Sequence, residues 1–423
     1  MKRKKRKNII LLCLLLAVSF VLQAQEVTFT DQGAYARGQA ETNSWSHGAS
    51  SHSAYQSWLD GTRDRLETLM GDRLLASTQL GMMVYDLTTN QVVFTRNERQ
   101  RQRPASVMKL VTSITALDLL GSDYGYQTTI WYRGNLEDGT LYGDLYCVGG
   151  FDPTIIRNDV KGFADAIRRY GIRSVEGRIV ADLTMKDTLA YGSGWCWDDD
   201  NERLTPLLVN KKDQFLSVLM SEMKSAGIQL NVTLSKGRLP QGCTEIYRYR
   251  SSIDKVLRQM MKDSDNLYAE SMFYQIARAS APQSSKAADA SGAMKRLIYR
   301  LGLDPMEYTF ADGSGLSHYS YITAELIVRL LRYAYDNREI YDHLYPVLPV
   351  AGVDGTLEKR MTSGVCRGNV HAKTGTVSGV STLGGFCKAS NGHTLCFAIL
   401  NQGLVKASDG RTFQDKVCEA ICK

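Results

Sequence analysis

The sequence predicts an α/β (α+β) fold: an antiparallel sheet flanked by helices and joined to a helical block, with an inserted, mainly-β domain at 123–244. Three observations predict it. A helix and a hairpin pattern open the ordered part of the chain, and a hairpin followed by a helix closes it. The stretch Pro104 to Leu120 is apolar on nearly every side, the mark of a helix buried all round. Between 123 and 244 the helical period gives way to short strand-like runs such as Gly143–Val148 and Gly177–Asp182.

The elements follow in order. Residues 25–54 are rich in Ser, Gly, Thr and Gln without a clear period and read as a flexible leader. Tyr55, Trp58, Leu59, Leu66 and Met70 mark one face of a helix over about 55–70. Gly81–Asp86 and Gln91–Thr95 flank the polar turn Thr88-Thr89-Asn90 and predict a hairpin. Pro104 suits the first turn of the next helix and Gly121 its end. Helical pattern returns at 251–262, 266–280, 288–301 and 321–335, and the end reads strand (380–388), strand (394–401), helix (410–422). Residues 55–122 and 245–423 thus form one domain around the insert, and pairing of the first and last hairpins would bring the two ends of that domain together.

At 423 residues with 43% hydrophobic and 22% charged side chains, the chain can bury a large core and is not disordered. Six of its 51 basic residues, and no acidic ones, lie in the first 24 positions, leaving 45 basic against 44 acidic beyond them. A near-neutral remainder gives no basis for a nucleic-acid partner. The same 24 residues have a polybasic head, an apolar run from Ile9 to Leu22 and the segment Gln23-Ala24-Gln25, the layout of a signal peptide cleaved after Ala24. Fourteen largely apolar residues are short for a spanning helix, which needs about 20. The expected place of work is therefore outside the cytoplasm, with membrane contact only through the signal peptide.

Eight cysteines remain beyond residue 24. A two-residue turn at Asn391-Gly392 would set Cys387 opposite Cys396 at a close, non-hydrogen-bonded site; a cross-strand bridge and two separate buried thiols are both compatible with that register. Cys418 and Cys422, one helical turn apart, read as packing residues.

The chemistry is carried by three short motifs in order: Ser106-Val-Met-Lys109, Ser264-Asp-Asn266 and Lys373-Thr-Gly375. Ser-x-x-Lys alone is weak, since Ser221–Lys224 and Ser252–Lys255 match it, but only Ser106 opens a buried apolar helix. The Ser-x-Asn and Lys-Thr-Gly motifs each occur once. Residues three apart on a helix share a face, so Lys109 can reach the Ser106 hydroxyl. A serine needs a neighbouring base to become a nucleophile, and lysine serves when burial and a second cation, here Lys373, depress its pKa. The helix N-terminus adds backbone N–H groups where oxyanion charge would develop. Taken singly, the motifs would read as a helix cap with a solvated lysine, a second cap, and an ordinary turn. Histidine pairs spaced for a metal and phosphate-binding loops are missing, so no metal or cofactor is expected.

The set resembles the penicillin-binding transpeptidase/β-lactamase-like enzymes, and within them the PBP4-type D-alanyl-D-alanine carboxypeptidases, the class C penicillin-binding proteins of peptidase family S13. The likeness spans about residues 75–423. It includes Arg103–Leu110, Gly149-Gly-Phe-Asp-Pro153, Gly194-Trp195, Ser264–Glu270, Asp312-Gly-Ser-Gly-Leu-Ser317, Leu348–Gly352 with Asp354-Gly-Thr-Leu357, and His371–Thr376. The resemblance implies a serine DD-peptidase acting on peptidoglycan stem peptides and inhibited by β-lactams. Ser106 would be the nucleophile and Lys109 its base, Ser264 a proton relay, and Asn266 a ligand for the substrate's peptide amide. Lys373, Thr374, Gly375 and Thr376 would line the place of the terminal carboxylate, with the N–H groups of Ser106 and Thr376 as oxyanion hole. Asp152 matches a family position near the cleft and is either a reader of a diaminopimelate ammonium group or a turn residue before Pro153. The family usually carries a small residue or Gly where Phe151 stands, and the insert is shorter than in its longest members. A β-lactamase, and a catalytically silent peptidoglycan-binding scaffold, are the alternative functions.

Overall fold

Two hairpins from opposite ends of the chain make one antiparallel sheet. In the computed structural model, which describes residues 45–199 and 201–423, strands β1 (Gln79–Asp86) and β2 (Gln91–Arg96) open it. Strands β8 (His371–Val377), β9 (Val380–Lys388) and β10 (Thr394–Gln402) complete it in the order β2-β1-β10-β9-β8. β1 lies against β10 with Met82 opposite Ile399. Alternation sends successive side chains to opposite faces. Met82, Val84, Leu383, Phe397 and Ile399 pack under Leu59 and Leu66 of the first helix (Trp45–Met70) and Phe413, Val417 and Ile421 of the last (Ala407–Cys422). Met83, Tyr85, Phe386, Ala398 and Leu400 face the helical block.

The block is built around the helix Met108–Leu120, entered by a 3₁₀ turn at Ala105–Val107 and closed at Gly121, φ 82°. Its residues 108–117 are all buried. Helices Ile253–Lys262, Asn266–Ser280, Ala287–Arg300 and Ala324–Asp336 surround it, four elements within three residues of their predicted bounds. Side-chain caps start three of them: Ser252, Asp265 and Thr323 each accept a backbone N–H of the first turn.

The inserted region differs from expectation in two respects. Its five-stranded sheet is mixed. β4 (Thr140–Val148), β5 (Ser174–Asp182) and β6 (Gln229–Lys236) run parallel, while β3 (Gly125–Glu137) is antiparallel to β4 and to β7 (Thr244–Ser252). Parallel neighbours need crossover connections, and helices Arg157–Arg169 and Phe215–Ser225 supply them through Phe163, Ile167, Phe215 and Leu219. The strand-rich insert thus holds two helices the sequence reading did not place. Its far boundary also moves from 244 to about 252, because Thr244–Ser252 pairs with Gly125–Tyr132.

The first helix starts at Trp45, so residues 45–54 belong to it rather than to a leader. The signal peptide at 1–24 and most of the leader lie outside the described residues. The bridge between Cys387 and Cys396 is ruled out by register. Ala389 and His393 close a three-residue turn, which sets Cys387 opposite Leu395 and Cys396 opposite Phe386. The two thiols lie on opposite faces of the sheet, and the eight cysteines among the described residues are all free.

Candidate active site

The three motifs converge. Ser106 sits in the 3₁₀ turn and is part-exposed, while Ala105, Val107 and Met108 beside it are fully buried. Ala105 has φ 44°, a left-handed conformation unusual for alanine. It is over-determined from both sides: the Pro104 carbonyl accepts from Thr382 Oγ1 at 2.8 Å, and Gly315 is pressed against the Ala105 carbonyl so closely that a Cβ there would collide. Strain of this kind persists only where packing imposes it, and it gathers at functional sites.

Lys109 is fully buried and makes three contacts through Nζ: Ser106 Oγ at 2.9 Å, Asn266 Oδ1 at 2.8 Å and the Ser314 carbonyl at 3.0 Å. A neutral amine has two N–H donors and one lone pair. Asn266 and Ser314 are pure acceptors at those atoms, so they take both donors and leave the lone pair to the Ser106 hydroxyl. Burial holds the Lys109 pKa down to about 8, against the opposing pull of Asp312, Glu270 and Asp265.

Lys373 is also fully buried; its Nζ donates to Ser264 Oγ at 2.8 Å and to the Thr374 carbonyl at 2.9 Å. Burial and then the charge of Lys109 hold its pKa well below the ordinary lysine value. Ser264, like Ala105, is a non-glycine residue in the left-handed region, φ 61°. Thr374 Oγ1 meets Thr356 Oγ1 at 2.7 Å. The loop carrying Thr356 is anchored by Lys262, which donates to Asp354 Oδ2 at 2.6 Å. Thr376 is exposed on the same strand. Gly375 lies where that strand meets the helix start; a Cβ on it would stand 2.8 Å from Ser106 N and 3.0 Å from Val107 N.

Asp152 is different. It is fully buried, Oδ1 accepts from Thr154 N at 2.9 Å and Oδ2 from Ser251 Oγ at 2.6 Å. A carboxylate closed off from solvent, with each oxygen hydrogen-bonded inside the protein, favours the turn residue of the two readings. Phe151 beside it is buried with φ 50° and packs on Tyr274. The left-handed backbone there is one that glycine adopts without strain and phenylalanine rarely does.

Several contributors were not singled out by sequence. Ser314 acts through its carbonyl, and a backbone group has no sequence signature. Asn201, 3.3 Å from Asn266 Nδ2, comes from a loop without periodicity. Glu270 had a signal: it is the one acidic residue of the helix Asn266–Ser280, one turn after Asn266, and it is buried. No group of three or more side chains that could hold a metal ion occurs among the described residues.

A part-exposed serine, a buried lysine aimed at it and a second buried cation across the cleft, on a sheet-and-helix frame, define a serine hydrolase of the Ser–Lys type. Comparison with known proteins places it more narrowly. The family model for D-Ala-D-Ala carboxypeptidase 3 (S13) matches residues 62–210 and 203–421. The chain belongs to that family of serine DD-carboxypeptidases. It is 26% identical to the D-alanyl-D-alanine carboxypeptidase of Actinomadura sp. (strain R39), over 82% of this chain and 81% of that one. Penicillin binding protein 4 from Haemophilus influenzae superposes with a TM-score of 0.76 at 20% identity, over 84% of this chain and 97% of that one. The same Haemophilus protein in complex with a β-lactam gives a TM-score of 0.69 at 21% identity, over 83% and 97% of the two chains.

Proposed function

We propose that this protein cleaves D-alanyl peptide bonds in peptidoglycan stem peptides through an acyl-enzyme on Ser106. The observation that carries the reading is the 2.9 Å approach of Lys109 Nζ to Ser106 Oγ with the amine's two other positions committed. Lys109 takes the hydroxyl proton as the oxygen attacks the carbonyl between two D-alanines, and the N–H groups of Ser106 and Thr376 receive the oxyanion. Ser264 passes a proton to the departing amine. Asn266, whose Oδ1 is held by Lys109, keeps its amide N–H for a substrate peptide carbonyl. Lys373, Thr374 and Thr376 take the terminal carboxylate, and the arriving negative charge favours the ammonium form of Lys373 against its burial. Gly375 leaves room for the substrate strand. Water then releases the shortened peptide.

The same site accepts a β-lactam as a cyclic amide with a carboxylate, and Ser106 stays acylated because hydrolysis is slow. Both a carboxypeptidase and an endopeptidase on cross-links use these steps. The substrate lies in the cell wall, consistent with export by residues 1–24. Among the described residues no helix is long and apolar enough to cross a membrane.

The test is the intact mass after penicillin exposure, for the native protein and for Ser106→Ala, followed by digestion of purified sacculi. One penicillin per chain, lost in the variant, is expected. Free D-alanine from a pentapeptide identifies the carboxypeptidase and cleaved cross-linked muropeptides the endopeptidase. Sustained hydrolysis of a chromogenic cephalosporin would instead make it a β-lactamase, and no adduct at all a binding scaffold.

A further inference from the structure

The loop Asp312–Ser317 presents the Ser314 carbonyl to Lys109, and two buried carboxylates hold that loop. Glu270 Oε1 accepts from Gly313 N at 3.0 Å and from Ser314 N at 2.8 Å. Asp312 accepts from Gly315 N at 3.1 Å, from Ser317 N at 2.7 Å and from Trp195 Nε1 at 3.0 Å. Glu270 lies one turn beyond Asn266 on the helix Asn266–Ser280, so one helix face delivers both of the contacts that orient the amine, Asn266 directly and Ser314 through Glu270. The loop is pressed onto that face: a Cβ on Gly313 would stand 2.8 Å from the Ala269 carbonyl.

We propose that Glu270 is a positioning residue for acylation, gripping the backbone of Gly313 and Ser314 so that the Ser314 carbonyl fixes one N–H of Lys109 and leaves its lone pair to Ser106. The inference rests on the acyl-enzyme reading above. Glu270 does not touch the serine or the place of the substrate, and it acts through the loop and through its charge. The groups facing it are Lys109 from the central helix, Asp312 from the loop, Lys186 from the insert and Tyr274 from its own helix. Burial, and then the neighbouring Asp312, push its carboxyl up to about 8, close to Lys109. An ionised Glu270 favours the ammonium form of Lys109, so removing that charge favours the amine.

The experiment measures the second-order rate of Ser106 acylation by benzylpenicillin from pH 5.5 to 9.5, for the native full chain, Glu270→Ala and Glu270→Gln, with circular dichroism checking the fold. Glu270→Ala loses the grip and is expected to acylate about 10–100-fold more slowly on the high-pH plateau. Glu270→Gln keeps one acceptor but can never be ionised; it should retain more of the rate and move the upper end of the acidic limb, near pH 8 where native Glu270 carries charge, to lower pH. A purely structural role would lower the melting temperature without moving that limb. Folded variants with the native rate and limb would overturn the assignment. If Glu270→Ala does not fold, the limb of Glu270→Gln decides alone. Native protein that takes up no penicillin removes the acyl-enzyme reading itself, an outcome distinct from native acylation with indifferent variants.

Discussion

Gly375 and Ser106 stand back to back, so close that a Cβ on the glycine would come within 2.8 Å of the serine's backbone nitrogen. The same Cβ would run into Thr382 Oγ1 on the neighbouring strand, and neither obstacle is the loose end of a long side chain. Gly375→Ala therefore has to push strand His371–Val377 away from the helix start. Overpacking of this kind costs about 1–3 kcal/mol, and the displacement opens the oxyanion hole. Penicillin acylation should fall at least about tenfold, with the melting temperature lowered by several degrees; stopped-flow acylation and thermal unfolding check the two effects separately.

On the proposed mechanism Lys109 sets the pH dependence. Burial holds its pKa near 8, and only the unprotonated amine can take the serine proton. Below that value the amine fraction falls about tenfold per pH unit. Acylation should therefore climb with pH through 6 and 7 and level off above about 8. Lys109→Arg keeps a cation that does not deprotonate in proteins, so the rate should drop by about 10²–10⁴ on the high-pH plateau, the usual worth of a general base, and the variant should lose the climb between about pH 6 and 8. A flat profile for the native protein would show that the serine proton goes elsewhere.

The fold was legible where period and punctuation are local. The helices around Lys109 and Asn266 announce themselves through apolar faces, caps and a terminal glycine, and four of the five strands of the first sheet read as two hairpins; the edge strand His371–Val377, which carries Lys373, was not read as a strand. The site was legible because three motifs occur together, each tied to its own element. The insert was harder: helix Arg157–Arg169 does bury Val160, Phe163, Ala164 and Ile167 at helical spacing, but the strand-like runs on either side of it dominated the reading. Ser314 and Asn201 were not legible, since a carbonyl and a loop contact depend on where distant segments meet. Asp152 shows the converse, a position whose place in a motif drew attention while its environment decides its role.

That environment makes Asp152 a stability residue. Its two oxygens tie Thr154 N and Ser251 Oγ inside the protein, bridging the loop after strand Thr140–Val148 to the end of the insert's last strand. Asp152→Ala leaves both donors unpaired, at a cost of about 1–3 kcal/mol each. The expected result is a protein unfolding at clearly lower urea concentration that still takes up penicillin at close to the native rate when folded. Selective loss of activity on diaminopimelate-containing peptides, with native stability, would return Asp152 to the cleft.

The hairpin that carries Cys387 and Cys396 gives the last prediction. A side chain's face in a strand changes with every residue, so one residue of difference in the turn decides whether two cysteines meet or part. With Ser390, Asn391 and Gly392 in the turn and Gly392 at φ 85°, Cys387 enters the core beneath the terminal helices and Cys396 the core beneath the helical block. No side-chain rotation joins them through the sheet. A peptide map of the oxidised protein should contain no Cys387–Cys396 link, and Cys387→Ser and Cys396→Ser should each destabilise the fold independently, by placing a hydroxyl in an apolar core. Because the two sites touch different cores, their effects should add within about 0.5 kcal/mol; a strong coupling between them would mean that the turn closes on two residues after all.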